Sequence, residues 1–380
     1  MTYIQNNYTL IKYINRLWHQ YYTMGNTMNR IDKSRFVSLE QANGLITDGY
    51  YAIDPHCHSS YSYDVPDVKV TNPESVIKVQ KKMGLNFLLS DHDTINGYNY
   101  LKKKGYKVVP CSEITIKPRI ARKIDMKKPV QTLHINVFGM NNHDMTMLRE
   151  IADKGDLDEF VHYIKYNDLD CMYNHPFWRD MGERMNWRVV PGIAKNYFDV
   201  LELNGTFSKG MNDLVVELAG KMNKGIIAGS DSHTGNPGRG FVMAEGKNFK
   251  DFWENVKAGN MFVHRKDFGL KDIITESSLI VNQVFNANTR PILERKYTPA
   301  TEFKPFNVIA RSVTSGRLKN KYILKTAIQM ALQGVNYSAG PVLAWKIHML
   351  KDKKEVHHIK RNMSTVMSKM NHVDYKKKSI

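Results

Sequence analysis

Residues 50–64 read YYAIDPHCHSSYSYD, an apolar run that breaks abruptly into two histidines and two aspartates. The run has the length and bulk of a short buried strand. Polar groups this dense at its end need a reason beyond solvation. His56 and His58 stand two residues apart, and in an extended chain alternate side chains share one side. Both imidazoles can therefore face a common point while Cys57 packs the other way. The stretch reads as a strand end that delivers metal ligands.

The same grammar recurs outward from it. NFLLSD (86–91), KVVPCSE (107–113), LHINVFG (133–139), LDCMYNH (169–175), DVLELNG (199–205) and GIIAGSD (225–231) are apolar runs closed by polar residues. Amphipathic stretches lie between several of them: PESVIKVQKKMG, MLREIADKGDLDEFVHYIKY, MNDLVVELAGKMN and FKDFWENVKAGN. Alternating strand and helix predicts a parallel α/β fold. Seven units with polar residues at the strand C-termini suit a (β/α)7 TIM-like barrel. There each strand delivers side chains into one mouth. A doubly wound sheet would gather its site at a single switch point instead.

Three segments follow from this reading: a helical extension over 1–45, the barrel over 46–268, and a basic, mainly helical module over 269–380. A barrel takes about 250 residues, so a chain of 380 leaves room for the extra module. Its tail carries Lys351, Lys353, Lys354, Lys360, Arg361, Lys369, Lys376, Lys377 and Lys378 with little acid between them. Net charge is +18, which favours an acidic partner: nucleic acid, a phosphorylated small molecule or an anionic membrane surface. Lysines neutralise phosphates without reading bases, so the tail suits nucleic acid, with a membrane surface or a partner protein as equal alternatives. Hydrophobic content of 42% excludes a disordered chain. No apolar run is long enough for a transmembrane helix, and the N-terminus does not read as a signal peptide. Cys57, Cys111 and Cys171 form neither a disulfide framework nor a zinc-ribbon pair, so a reducing cytoplasm is the expected compartment.

A lone histidine at a strand end is more often a satisfied structural residue than a ligand. Repetition at successive strand ends is what turns the set into a metal site. The first end gives His56, His58 and, on its loop, Asp64, with Asp67 the alternative. Later ends give His92 and Asp93, Glu113, His134, His175, and Asp231 with His233. Nitrogen and carboxylate donors without cysteine suit zinc, manganese or iron. An acidic partner, such as a phosphorylated molecule, would need fixed cations besides the metals, and the arginine fork suits that task. Arg179, in NHPFWR, and Arg239, in TGNPGRGF, are the candidates.

The ordered set D-x-H-x-H (Asp54, His56, His58), S-D-H-D-T (Ser90 to Thr94), Glu113 in C-S-E-I, His134 in L-H-I, His175 in N-H-P, and G-S-D-S-H (Gly229 to His233) resembles the PHP family. These are the polymerase and histidinol phosphatase domains, metal-dependent phosphoesterases on a distorted seven-stranded barrel. The resemblance covers about residues 50–265. It implies two or three divalent ions (Mn, Zn or Fe). His56, His58, Glu113 and Asp231 would hold one part of the cluster, and Asp64, His92, His134, His175 and His233 the rest, with Glu113 bridging. It further implies that Asp93 handles protons or sits behind the ligands, and that Asp54 orients a histidine. Glu113, Asp93 and Arg179 are then the expected catalytic groups. The implied reaction is hydrolysis of a phosphate monoester or diester by a metal-activated water, on a nucleotide or nucleic acid. The alternatives are a small metabolite phosphate, as in histidinol phosphatase relatives, and a metal-stabilised binding module without turnover. Two departures stand out. SSYSYD after His58 is one residue longer than the common spacing. About forty residues separate His134 from His175, where the bisphosphate- and RNA-trimming branch carries a long helical insert.

Overall fold

The computed structural model describes residues 35–124, 130–179, 183, 186–286 and short helical pieces between 308 and 366, the longest being 352–363. Of the helical extension expected over residues 1–45, the first thirty-four lie outside the described residues, as do Lys351, Lys369, Lys376, Lys377 and Lys378.

The strands are β1 (Phe36–Val37), β2 (Tyr51–Ile53), β3 (Phe87–Leu88), β4 (Val108–Val109), β5 (Cys111–Ile116), β6 (Leu133–Phe138), β7 (Asp170–Tyr173), β8 (Val200–Asn204), β9 (Gly225–Gly229), β10 (Gly240–Ala244) and β11 (Met261–Arg265). They form three sheets, ordered β5-β6-β7-β8-β9, β1-β11-β10-β2 and β3-β4. The helices are α1 (Leu39–Thr47), α2 (Pro73–Lys82), α3 (Asn96–Lys103), α4 (Asn142–Lys154), α5 (Leu157–Tyr166), α6 (Val190–Tyr197), α7 (Lys209–Met222), α8 (Phe249–Ala258) and α9 (Leu270–Asn286). No helix among the described residues is long and apolar enough to cross a membrane.

The fold is mixed α/β, and it departs from seven parallel strands in one ring. β5, β6 and β7 pair antiparallel, and so do β2, β10 and β11. Parallel pairing needs a crossover connection. The described residues between β5 and β6 contain no helix, so β6 returns antiparallel beside β5. Single bridges, Ile53–Asn86 and His92–Glu113, join the sheets where ladders are absent, and no closed barrel of ladders forms among the described residues. KVVPCSE, read as one run, holds two strands, because Pro110 cannot donate to a ladder. β10 and β11 escaped the sequence reading because neither ends in a candidate ligand.

Local chemistry accounts for the helix boundaries. Asn72 caps α2 by accepting from the Glu74 amide, with Pro73 at the first helical position. The stretch MLREIADKGDLDEFVHYIKY divides into α4 and α5 at Gly155, whose φ of 73° is left-handed. A Cβ there would stand 2.5 Å from the Lys117 carbonyl oxygen, so glycine is required on both counts. Asp156 then caps α5 through the Glu159 amide.

The core lies between the sheets and the helices. Trp253 of α8, 1% exposed, packs on Phe138 of β6 with ring centroids 4.8 Å apart. Trp253→Ala is expected to cost about 3–5 kcal/mol in a denaturant titration, because the large cavity collapses only in part. Two elements past residue 268 join this body. Ile359 and Met363, in the 352–363 helix, enter the main core, and Ser208 Oγ donates to Asp352 Oδ2 at 2.6 Å. α9 packs beside the loop that follows β9, where Gln283 Nε2 donates to the Thr234 carbonyl at 2.8 Å.

Candidate metal centre

The strand ends converge on Glu113, which β5 buries to 1% exposure. Five imidazoles surround its carboxylate. Oε2 lies 2.9 Å from His56 Nε2, 3.2 Å from His58 Nε2 and 3.4 Å from His92 Nε2. Oε1 lies 3.1 Å from His134 Nδ1 and 3.2 Å from His175 Nε2. Asp231 Oδ1 closes the first group, at 3.4 Å from His56 and 3.3 Å from His58. Asp64 Oδ2 meets His233 Nε2 at 2.9 Å and His92 Nε2 at 3.3 Å. The extra residue in SSYSYD thus leaves Asp64 in contact with His92 and His233, and Asp64, not Asp67, lines the cavity above the cluster.

These side chains form four overlapping groups: His56, His58, Glu113 and Asp231; His92, Glu113 and His134; His58, His92 and His233; His56, His175 and Glu202. The donor set fits divalent cations. His56 Nε2 and His58 Nε2 are 3.1 Å apart and aim at the same oxygen, an arrangement that lone pairs on a shared ion satisfy well. Asp64 Oδ1 is buried and takes no hydrogen bond, although buried polar atoms are almost always partnered. A ligated cation would give it a partner.

Electrostatics point the same way. Burial pushes the Glu113 and Asp231 carboxyls up, but the neighbouring histidines outweigh it and hold both well below the usual range. Burial also opposes a charge on His56, yet Glu113, Glu202 and Asp231 drive its pKa well up. His233 rises to about 10, where burial is overcome by Asp64 and Asp231. The pocket thus calls for positive charge, from protons or from metal. Metal displaces those protons, since a ligating imidazole must be neutral.

The sequence reading missed the groups that brace the candidate ligands. Glu202 of β8 is fully buried; its Oε1 lies 2.6 Å from His56 Nδ1, and its Oε2 accepts from the His175 amide at 2.7 Å. Asn174 Nδ2 donates to Glu113 Oε1 at 2.8 Å, and Asn204 Nδ2 to Asp231 Oδ2 at 3.1 Å. The available signal was a carboxylate inside the apolar run VLELN, since glutamate is almost never fully buried unless paired. His175 and Asp231 carry left-handed φ values of 27° and 49°. Strain of this kind gathers at functional sites.

Other candidates fall elsewhere. Asp54 accepts from the amides of His56, Ser230 and Gly238, so it braces backbone rather than an imidazole ring. Burial lifts its pKa to about 6 against those hydrogen bonds. Asp93 accepts from the Thr115 amide at 3.0 Å and pairs with Arg149 of α4. Arg179 is exposed, its Nη1 3.4 Å from the Glu183 carbonyl, and it does not line the cavity. Arg239 does line it: Nη1 bonds Asp272 Oδ1 at 2.8 Å, and Nη2 is buried without a hydrogen-bond partner. Phe177 and Trp187 are core residues. Trp178 instead lies over His134 and His175, at 4.5 and 5.1 Å, and walls a cavity of about 330 Å³ above the cluster.

The chain matches no family model and no curated protein sequence. Solved structures that it resembles include PsfC from Pseudomonas syringae, at 14% identity and a TM-score of 0.42, over 62% of this chain and 96% of that one. Another is a Bacteroides vulgatus two-domain protein containing a predicted PHP-like metal-dependent phosphoesterase, at 17% identity and 0.39, over 57% and 66%. A third is the lesion-specific endonuclease PfuEndoQ from Pyrococcus furiosus, at 16% identity and 0.39, over 79% and 91%. PHP-like phosphoesterases and an endonuclease therefore stand among its structural neighbours. Likenesses this distant carry no argument about chemistry, which rests on the side chains above.

Proposed function

We propose that the chain is a PHP-type metal-dependent phosphoesterase that hydrolyses a phosphate ester of a nucleotide or related substrate. Its three bridged sheets take the part of the family's distorted barrel. The observation that carries this reading is the single buried carboxylate of Glu113 shared by five imidazoles. The ordered D-x-H-x-H to G-S-D-S-H motifs and the net charge of +18 support it. His56, His58, Glu113 and Asp231 would hold one ion, and Asp64, His92, His134, His175 and His233 one or two more. When bound, divalent ions such as manganese, zinc or iron supply an acidified water as nucleophile and neutralise the phosphoryl oxygens.

The protein's own part is placement. Glu202, accepting at His56 Nδ1, fixes the tautomer that leaves Nε2 free for the centre. Asn174 and Asn204 orient the two central carboxylates. Arg239 offers its unmet Nη2 donor to a phosphate oxygen, and Asp272 holds the rest of the guanidinium in place. Trp178 shields one side of the cluster from water.

The test is metal analysis of the purified full chain together with turnover of a panel of phosphoesters, against His58→Ala. Two or three ions per chain are expected, with metal-dependent hydrolysis that the variant loses. A metal-replete protein that turns over nothing above the variant overturns the reading.

A further inference from the structure

α9 is fastened along one face to the loop that carries Asp231 and His233. Arg239 Nη1 bonds Asp272 Oδ1 at 2.8 Å, Thr234 Oγ1 donates to Glu276 Oε2 at 2.7 Å, and Gln283 Nε2 donates to the Thr234 carbonyl at 2.8 Å. At 3.6 residues per turn, positions 272, 276, 280 and 283 fall within roughly 80° of arc, so they form one stripe. Glu276 and Ile280 on that stripe line the cavity over the metal cluster.

We propose that α9 is a specificity wall: it sizes the site for one small phosphomonoester whose hydroxyl-bearing body Glu276 receives, and it shuts out a continuing nucleic-acid strand. The proposal rests on the phosphoesterase reading and narrows its substrate.

Three observations carry it. The cavity, about 330 Å³, is at the small end of ligand sites, which run from roughly 300 to 1,000 Å³. That holds one phosphorylated sugar or nucleoside, whereas a strand, even one attached through a terminal phosphate, needs room to leave the site. Charge is divided within it. Arg239 is cationic and nine-tenths buried, with a buried donor unmet, and so serves the reacting phosphate. Glu276 is anionic and would repel the next phosphate of a strand. Finally, Glu276 Oε2 accepts from Thr234, while its second oxygen takes no hydrogen bond from the described residues. A carboxylate at a cavity wall is a ready acceptor for a substrate hydroxyl.

The experiment compares three substrates of the metal-loaded full chain: a sugar phosphate, an aryl phosphate without hydroxyls, and a single-stranded oligonucleotide with a terminal phosphate. Glu276→Gln keeps the shape and still accepts from Thr234, so the wall stays in place. The preference for sugar over aryl phosphate is expected to fall about ten- to hundredfold, the range for a hydrogen bond to a charged group. Calorimetric binding of the sugar phosphonate, which is not hydrolysed, is expected to weaken by the same factor. For the unaltered protein the oligonucleotide is expected to be the poorest substrate, and Ile280→Ala to improve it. An oligonucleotide turned over as well as the sugar phosphate overturns the proposal, as does an unchanged sugar-to-aryl preference in Glu276→Gln. Turnover of none of the three sinks the phosphoesterase reading instead, and the phosphonate titration then decides the wall alone.

Discussion

Glu113→Gln is expected to empty the metal centre and to lower kcat/KM by about a thousandfold, equivalent to roughly 4 kcal/mol of transition-state stabilisation. The change keeps volume, so packing around β5 is undisturbed. What it alters is charge and the sense of one hydrogen bond. An amide offers one acceptor oxygen and one donor nitrogen where the carboxylate offers two acceptors. Asn174 Nδ2 already donates to Oε1 at 2.8 Å and would select the amide oxygen for that side. The amide nitrogen would then face His56, His58 and His92, whose Nε2 atoms stand 2.9–3.4 Å from the other oxygen. Those nitrogens must present lone pairs to a cation, and a donor among them competes with it. Elemental analysis beside steady-state kinetics checks the result. A variant that retains full metal content and turnover shows that the Glu113 carboxylate does not hold the metal.

The cluster was legible because histidines and carboxylates are costly residues in buried strand ends. His56, His58, His92, His175, Asp231 and His233 each close an apolar run, whereas His134 opens β6 and reaches the site because that strand runs antiparallel to β5. Five of the histidines gather around Glu113, and Asp64 and His233 join them through His92 and Asp231. The supporting residues were hidden by the same rule. Glu202, Asn174 and Asn136, whose Oδ1 accepts from Asn174 Nδ2 at 2.8 Å, lie inside or beside strands, where a polar letter between apolar ones passes for the solvent face of an alternating pattern. Only burial shows that Glu202 and Asn136 are 0% exposed. Arg179 and Asp93 misled for the opposite reason: adjacency to a ligand in sequence does not fix where a side chain turns. Asp93, at a left-handed φ of 55°, turns to Arg149, and Arg179 turns outward.

For the fold, alternation of strand and helix was readable, but strand sense was not. Antiparallel β5–β6–β7 follows from what the connections contain, and short apolar runs look alike in either direction. α9 was assigned to the C-terminal module because its composition is helical and the strand pattern had ended. Its contacts to Thr234 and Arg239 are long-range, and no local pattern encodes them. A boundary drawn at residue 268 therefore passes through the wall of the cavity.

Glu202→Gln is expected to weaken metal affinity by about 10- to 100-fold, the usual cost of losing an outer hydrogen-bond partner of a ligand histidine. Glu202 does two tasks that an amide cannot do together. Its Oε1, 2.6 Å from His56 Nδ1, fixes the proton there and leaves Nε2 as the ligand atom. Its Oε2 accepts from the His175 amide at 2.7 Å, holding that residue at a left-handed φ of 27°. A glutamine that turns its oxygen to the His175 amide points its NH2 at His56 Nδ1. The ring proton then moves to Nε2, which blocks ligation. Turned the other way, it sets donor against donor at a buried amide and frees His175 from its strained position, at about 1–3 kcal/mol for the unmet group. Either outcome injures the His56 side of the centre while leaving Asp64, His92 and His233 whole. The loss should therefore be partial: competition with a chelator would show one weakened ion, and saturating metal would restore much of kcat. Equal loss of every ion, or none, would show that Glu202 serves the fold and not the metal.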